Sequence, residues 1–303
     1  AMKNKVLCIG ELLIDFICTD VDATLRTAHA FKKKAGGAPA NVSVAVSRLG
    51  GDASFAGCVG RDAFGDFLED TLRTNNVSTE LLIRDLKHAT TLAFVSLTRD
   101  GERDFSFIRG ADQHFHYTED LGAAVLESNI VHLGSATAFM GDPLESTYMK
   151  VLKCANEKNI LVSFDPNYRD SLFGEKNRAF IHKVHSCLAY SDIIKVSEEE
   201  LYLLTDQSDI DVGIKALHEF GAKRILITLG KAGSIYATKT MRLDISTPKI
   251  KAIDSTGAGD AFVGGLLYQL SLLDEPKKVL DDKEIMEDFL SFAAAVGAIT
   301  CLK

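Results

Sequence analysis

Ile130-Val131-His132-Leu133, Ile160-Leu161-Val162-Ser163-Phe164, Ile193-Ile194-Lys195-Val196 and Arg224-Ile225-Leu226-Ile227-Thr228 recur along the chain, at the spacing of about thirty residues that βαβ units need. Each is a short, nearly continuous apolar run, as expected of strands buried on both faces. Between them, 143–157, 175–189 and 209–220 read as helices. That alternation predicts a parallel sheet with helices packed on both sides. Val6-Leu7-Cys8-Ile9 carries the pattern back to the start of the chain.

Two regions break the rhythm. Residues 11–18 and 89–108 read as extended. Thr90 to Thr98 and Arg103 to Ile108 flank the turn Arg99-Asp100-Gly101-Glu102, which is a hairpin signal. A small antiparallel sheet standing off the main body explains both. It is expected as a lid, inserted at about 11–36 and 89–112 into a single α/β domain spanning 1–303, over a site at the carboxyl ends of the strands.

Composition narrows the class. The 303 residues are 46% apolar and 25% charged, with a formal net charge of −8. An acidic chain lacks the electrostatic footprint of a nucleic-acid binder. The six cysteines are scattered and form no Cys-x-x-Cys pair, which suits reduced thiols in a cytoplasmic setting. The run after Lys3 and Lys5 is broken by Glu11 and Asp15, against a secretory leader, and no stretch is long enough for a membrane span.

The densest chemical signal is Asp254-Ser255-Thr256-Gly257-Ala258-Gly259-Asp260-Ala261-Phe262, followed by Val263, Leu266, Leu267 and Leu270 on one helical face. Glycines allow a tight turn that leaves successive N–H groups free at a helix start, where the dipole also favours negative charge. A carboxylate there, Asp260, would repel a merely bound phosphate. It fits if it takes a proton from an attacking hydroxyl while the amides hold the transferring group. The plainer alternative is a glycine turn with an acid in the first helical turn.

Other segments leave similar pairs of readings open. Ala35-Gly36-Gly37-Ala38-Pro39-Ala40-Asn41-Val42-Ser43 precedes a helix in which Val42, Val46 and Leu49 share a face. Either the glycines admit a ligand, with Asn41 bonding sugar hydroxyls, or this is a capped loop. Asp15, expected to follow a strand, accepts bonds from two hydroxyls or is the exposed face of an edge strand. Arg109 and Arg169 clamp substrate or phosphate, or make surface ion pairs. Ser197-Glu198-Glu199-Glu200 reads as a capping box, or Glu200 organises the water shell of Mg²⁺. Thr228-Leu229-Gly230-Lys231-Ala232-Gly233 cradles a nucleotide or is a hairpin loop. Lys32-Lys33-Lys34 reads as a solvated face. His114 and His116 have no partner cluster, which argues against zinc. The P-loop, dinucleotide-fold and serine-hydrolase signatures are absent.

Residues 36–50 and 254–262 together resemble the two signatures of the ribokinase/PfkB carbohydrate kinase family, at the proper ends of the chain. Within it the chain is most similar to fructokinases, through 10–16, Arg109-Gly110-Ala111-Asp112 and Asp165-Pro166-Asn167-Tyr168-Arg169 with Leu172-Phe173. The resemblance implies a ribokinase-like three-layer α/β/α sandwich with a small β-sheet lid. It further implies transfer of the γ-phosphoryl group of ATP to a primary sugar hydroxyl, most simply that of fructose. Asp260 would be the base, and Gly257, Ala258 and Gly259 would supply the anion hole. Asp15, Gly36, Gly37, Asn41, Arg109 and Arg169 would meet the sugar, and Thr228, Gly230, Gly233 and Lys195 the nucleotide. Glu200 would reach Mg²⁺ through water, and Asp254 and Thr256 would frame a monovalent cation, K⁺. A homodimer through the lid is a further family expectation.

Two departures stand out. Ser197 replaces the Asn of the family's Asn-x-x-Glu motif, leaving Mg²⁺ to Glu200 alone. Ala293-Ala294-Ala295 stands where many members have Ala-Asn-Ala, which implies a less polar adenine pocket. Rival readings are a 2-keto-3-deoxygluconate kinase or other PfkB sugar kinase, a nucleoside kinase, and a catalytically silent sugar-binding regulator.

Overall fold

The computed structural model describes residues 4–302. In chain order the strands are β1 Lys5–Ile9, β2 Leu13–Cys18, β3 Phe31–Gly36, β4 Asp52–Gly60, β5 Ser78–Asp85, β6 Leu92–Leu97 and β7 Arg103–Ile108. They continue as β8 Ile130–Leu133, β9 Leu161–Phe164, β10 Ile193–Ser197, β11 Ile225–Thr228, β12 Ser234–Ala237 and β13 Arg242–Ile245. The first helices are α1 Ala38–Arg48, α2 Ala63–Thr74, α3 Glu119–Glu127, α4 Leu144–Glu157 and α5 Asp170–Phe173. The rest are α6 Asn177–Leu188, α7 Glu198–Thr205, α8 Ile210–Glu219, α9 Ala258–Ser271 and α10 Lys283–Thr300.

The large sheet runs β13-β12-β11-β10-β9-β8-β1-β4-β5. From β11 to β5 its neighbours pair in parallel, and β12 and β13 add an antiparallel edge. The apolar runs of the sequence are therefore interior strands, with β8, β9 and β1 almost wholly buried. Alternate side chains of β1 serve opposite cores. Leu7 and Ile9 join Val125, Val151, Val184 and Leu201 from α3, α4, α6 and α7. Val6 and Cys8 join Val46, Leu72, Leu267 and Leu290 from α1, α2, α9 and α10. Helices thus cover both faces of the sheet in a three-layer α/β/α sandwich. Leu266, Leu267 and Leu270 of α9 are buried and contribute about 2 kcal/mol each.

The small sheet runs β3-β2-β6-β7 and is mixed rather than antiparallel as expected, because its two hairpins join through the parallel pair β2–β6. Strands β6 and β7 form the hairpin expected around 99–102. The chain leaves the large sheet for the small one after β1 and after β5, and returns after β3 and after β7. Helix α1 ends at Arg48, so Leu49, expected on its apolar face, is the C-cap and only half-buried. Asp15 does not follow a strand, nor is its strand an edge. It lies inside β2, which pairs with β3 on one side and β6 on the other. The three lysines 32–34 lie on β3, where Lys33 places its ammonium 3.9 Å from the Phe67 ring centroid.

Candidate active site

The site forms where the start of α9 meets the start of α1. Gly257 is the N-cap of α9 with φ 78°, a left-handed conformation that suits glycine, and no side chain caps the helix. A Cβ added at Gly257 or at Gly259 would meet no atom within 4 Å. The space in front of these amides is open, at a helix end whose N–H groups favour an anion.

Asp260 occupies the first turn of α9 and is half-buried. Its Oδ2 accepts a hydrogen bond from Asn41 Nδ2 at 3.0 Å, joining residues 219 apart in sequence. Burial pushes its carboxyl up to about 6, against the opposing pull of Asn41 and Lys195. Such a value keeps the group mostly ionised at neutral pH and within range of a proton transfer.

Asn41 is placed by its loop. Gly37 is the N-cap of α1 with φ 108°, and proline follows within the first two helical positions. A Cβ at Gly37 would collide with the Glu11 carbonyl, and one at Gly36 with the Asp15 carboxylate. Burial raises the Asp15 carboxyl, while Arg169 and Lys34 draw it back. Arg169 also lowers Asp260, so its field spans Asp15 and Asp260. Arg169 is exposed; its carbonyl accepts from Leu172 N–H at 3.0 Å, while its guanidinium makes no hydrogen bond or ion pair among the described residues.

Two clefts meet at Gly259. One, of about 590 Å³, is lined by Asn167, Arg169, Lys195, Glu200, Gly257 and Asp260, among others. Lys195 Nζ lies 3.2 Å from the buried Asp165 Oδ2. Burial alone would lower the Lys195 ammonium, but Asp165, Glu200 and Asp260 together raise it. The Glu200 carboxylate is raised by burial and by Asp165. Its Oε1 accepts from Ser197 N–H at 2.9 Å and its Oε2 from Tyr168 N–H at 3.0 Å. The capping box is complete, with Ser197 Oγ accepting from Glu200 N–H.

The second cleft, of about 520 Å³, is lined by Thr228, Gly230 and Gly233 and walled by Ile250, Phe262, Ala294 and Ala298, among others. The 228–233 segment is the β11–β12 hairpin loop and also a wall of this cleft. Asp254 is exposed and turns its Oδ1 onto Thr256 N–H at 2.9 Å, just before the Gly257 turn.

Arg109 is drawn into the protein. Its Nε sits 3.3 Å from Asp112 Oδ2, its Nη2 donates to the Thr137 carbonyl at 3.0 Å, and it lines neither cleft. Sequence reasoning missed its partner Asp112 and the buried Glu11, and gave no role to Asp165. It also missed the apolar wall from residues 247–252. Asp165 was within reach, since it ends a parallel strand at the carboxyl edge where ligands bind. His114, treated as isolated, stacks on His88 at 3.5 Å between ring centroids.

Residues 3–303 match the family described as pfkB family carbohydrate kinase. The chain is 40% identical over 304 residues to a probable fructokinase-2 from Arabidopsis thaliana, covering 99% of this chain and 91% of that protein. It superposes on the fructokinase from Xylella fastidiosa with bound ATP at a TM-score of 0.88 and 35% identity, covering 100% of this chain and 93% of that one. A double-mutant fructokinase from Vibrio cholerae, solved with fructose, ADP and a potassium ion, gives a TM-score of 0.82 at 30% identity over 100% and 93% of the two chains.

Proposed function

The chain belongs to the pfkB family of carbohydrate kinases, and from that premise we propose that it transfers the γ-phosphoryl group of ATP to the primary hydroxyl of fructose. One observation carries the reading: the 3.0 Å bond from Asn41 to Asp260 sets the base of one helix start against a sugar-type donor of another, before open glycine amides. The relatives named above supply the substrates, since one is solved with ATP and another with fructose and ADP.

In this mechanism fructose lies against Asp15, Gly36, Gly37 and Asn41, and ATP lies in the cleft beside Thr228, Gly230 and Gly233. The hydroxyl oxygen attacks the γ-phosphorus in line, the bond from that phosphorus to the ADP oxygen breaks, and the hydroxyl proton passes to Asp260. The amides of Gly257, Ala258, Gly259 and Asp260 face the charge on the transferring oxygens. Arg169 and Lys195 add positive charge beside them. Arg109 serves the site from behind, through Asp112.

A cleft lined by Glu199, Glu200 and Asp260, whose Lys195 is already paired with Asp165 and whose other cations include Arg169, suits a polyanion better with a divalent cation. Among the described residues no three His, Cys, Asp or Glu side chains form a metal cage. That favours Mg²⁺ arriving with the nucleotide and meeting Glu200 through water, where it would neutralise phosphate charge. K⁺ would belong to the loop bent by Asp254 onto Thr256. The small sheet acts as the lid of a single domain and as the pairing surface of a homodimer. Free cysteines, four of them buried, suit a cytoplasmic setting.

A coupled ADP-release assay with Mg-ATP and K⁺ tests the substrate against fructose, ribose, 2-keto-3-deoxygluconate and adenosine. Turnover with fructose is expected. Turnover with the keto acid alone would make Arg169 a carboxylate reader, and silence on all four would overturn the reading.

A further inference from the structure

The roots of the small sheet are tied together by a buried acid pair outside the reacting groups. Glu11 is 2% exposed and Asp112 1% exposed, and both sit where the chain crosses between sheets. Glu11 follows β1, and its carboxylate accepts from the Ser135 hydroxyl and from Ala136 N–H at 3.2 Å. Ser135 Oγ is itself filled by Thr137 N–H and Ala138 N–H, each at 3.0 Å, so its single proton goes to Glu11. Asp112 follows β7 and accepts from the Thr91 hydroxyl, from Thr137 Oγ1 at 2.8 Å, and from Arg109. Thr91 precedes β6, and its carbonyl accepts from Ile14 N–H of β2 at 3.1 Å. Thr137 Oγ1 also lies 3.5 Å from Glu11. Three crossings are thus fastened to the single loop after β8.

The same loop supports the sugar side. A Cβ at Gly10 would come within 2.6 Å of Pro39 and 2.7 Å of Ser135 Cβ. Pro39 in the first turn of α1 therefore rests on the crossing, two residues before Asn41. Gly37 presses on the Glu11 carbonyl.

We propose that Glu11 and Asp112 are positioning residues, a latch that fixes the small sheet and the start of α1 so that Asp15, Gly37 and Asn41 stand where the sugar needs them. Its consequence for sugar rests on the reading given under Proposed function; its mechanical part does not. Burial pushes the Glu11 carboxyl up to about 7, so at pH 8, where the tests below are run, it is ionised and offers only acceptors. Glu11→Gln changes little in shape but turns one of them into a donor, against either Ser135 O–H or Ala136 N–H. The donors that face Glu11 cannot be satisfied in either amide orientation.

Two measurements on the full chain test this, with Val184→Ala on α6 as the control for general loss of stability and Thr137→Val as a second latch variant. Without ligand, amide hydrogen exchange in β2, β3, β6 and β7 should quicken about tenfold in Glu11→Gln, the scale of one lost charge-assisted hydrogen bond, with β8 to β11 at the control's rates. Exchange in those four strands no faster than in the control overturns the latch. With fructose and ATP, the KM for sugar should rise about tenfold while kcat and the KM for ATP stay within about threefold. A fall in kcat alone, or equal rises in both KM values, overturns the positioning role. If the unaltered protein turns over no sugar while exchange responds as stated, the latch stands and the substrate reading falls.

Discussion

Helices α1 and α9 both begin on a glycine of positive φ, Gly37 at 108° and Gly257 at 78°, and a single bond from Asn41 to Asp260 joins their first turns. The reasons for the glycines differ. At Gly37 the protein itself leaves no room, because the Glu11 carbonyl occupies the place of a Cβ. At Gly257 and Gly259 nothing stands within 4 Å. A glycine demanded by its neighbours reports on packing. One that faces empty space reports on something that must approach, and here an acid stands beside it. The α1 start is built by packing, and the α9 start is the one to which the proposed mechanism assigns the chemistry.

The largest expected effect falls on the α9 side. Asp260→Asn keeps an acceptor for Asn41 but cannot take a proton, so kcat should fall by at least about a hundredfold with sugar affinity nearly unchanged. Steady-state kinetics and calorimetric sugar binding read the two halves, and near-normal kcat would remove Asp260 as base. Gly259→Ala comes next. Alanine favours a helix over glycine by up to about 1 kcal/mol, so Tm should hold or rise. The kcat/KM for ATP should nonetheless drop about tenfold, because the methyl intrudes on the approach of phosphate. Gly37→Ala should do the reverse, lowering Tm through backbone strain and collision. Loss of Tm in both variants alike would erase the contrast between the two helix starts.

The pH response sharpens it further. With Asp260 at about 6, the acid limb of kcat/KM should have its midpoint near 6. Asn41→Ala removes a donor that favours the ionised form, so that limb should move to higher pH. Stability follows the raised carboxyl: its contribution is full below about 4 and lost as pH climbs through 6. Asp260→Asn escapes that loss, so above pH 7 it should be more stable than the unaltered protein by on the order of 2–3 kcal/mol, and no different at pH 4. Denaturant unfolding at the two pH values checks this, and an equal gain at pH 4 would detach the effect from ionisation.

How legible each part was in the sequence depends on how far its causes reach. The strands from 130 to 228 were readable because burial on both faces writes itself into consecutive residues, and α4, α6 and α8 fall within two residues of the expected ranges. The turn before α9 was readable as a helix start with uncapped glycine amides beside an acid, since glycines, dipole and acid lie within a few positions. Partners distant in sequence were not readable. The edge-strand alternative for Asp15 stood open because nothing local reveals that β6 pairs with β2 on its far side. In sequence Arg109 reads as a clamp on substrate or phosphate, or as a surface ion pair, because Thr137, which draws it inward, lies 28 residues away. The hairpin loop 228–233 was ambiguous because it is both a turn and a cleft wall.

A third helix start, that of α7, separates the two roles most finely, and the effect expected there is the smallest. It uses no glycine. Ser197 caps Glu200 N–H at 3.1 Å, and Glu200 returns to Ser197 N–H at 2.9 Å while holding Tyr168 N–H at 3.0 Å. Every one of those bonds is internal, as at α1, yet Glu200 lines the cleft beside Asp260, as α9 does. Ser197→Ala removes the cap and should cost about 1 kcal/mol, visible as a small drop in Tm. If Glu200 keeps its place through Tyr168, the Mg²⁺ concentration needed for half-maximal activity should change less than about twofold. A larger rise would mean that the cap aims Glu200 at the metal's waters, so that in α7 holding position and serving the chemistry are one function rather than two.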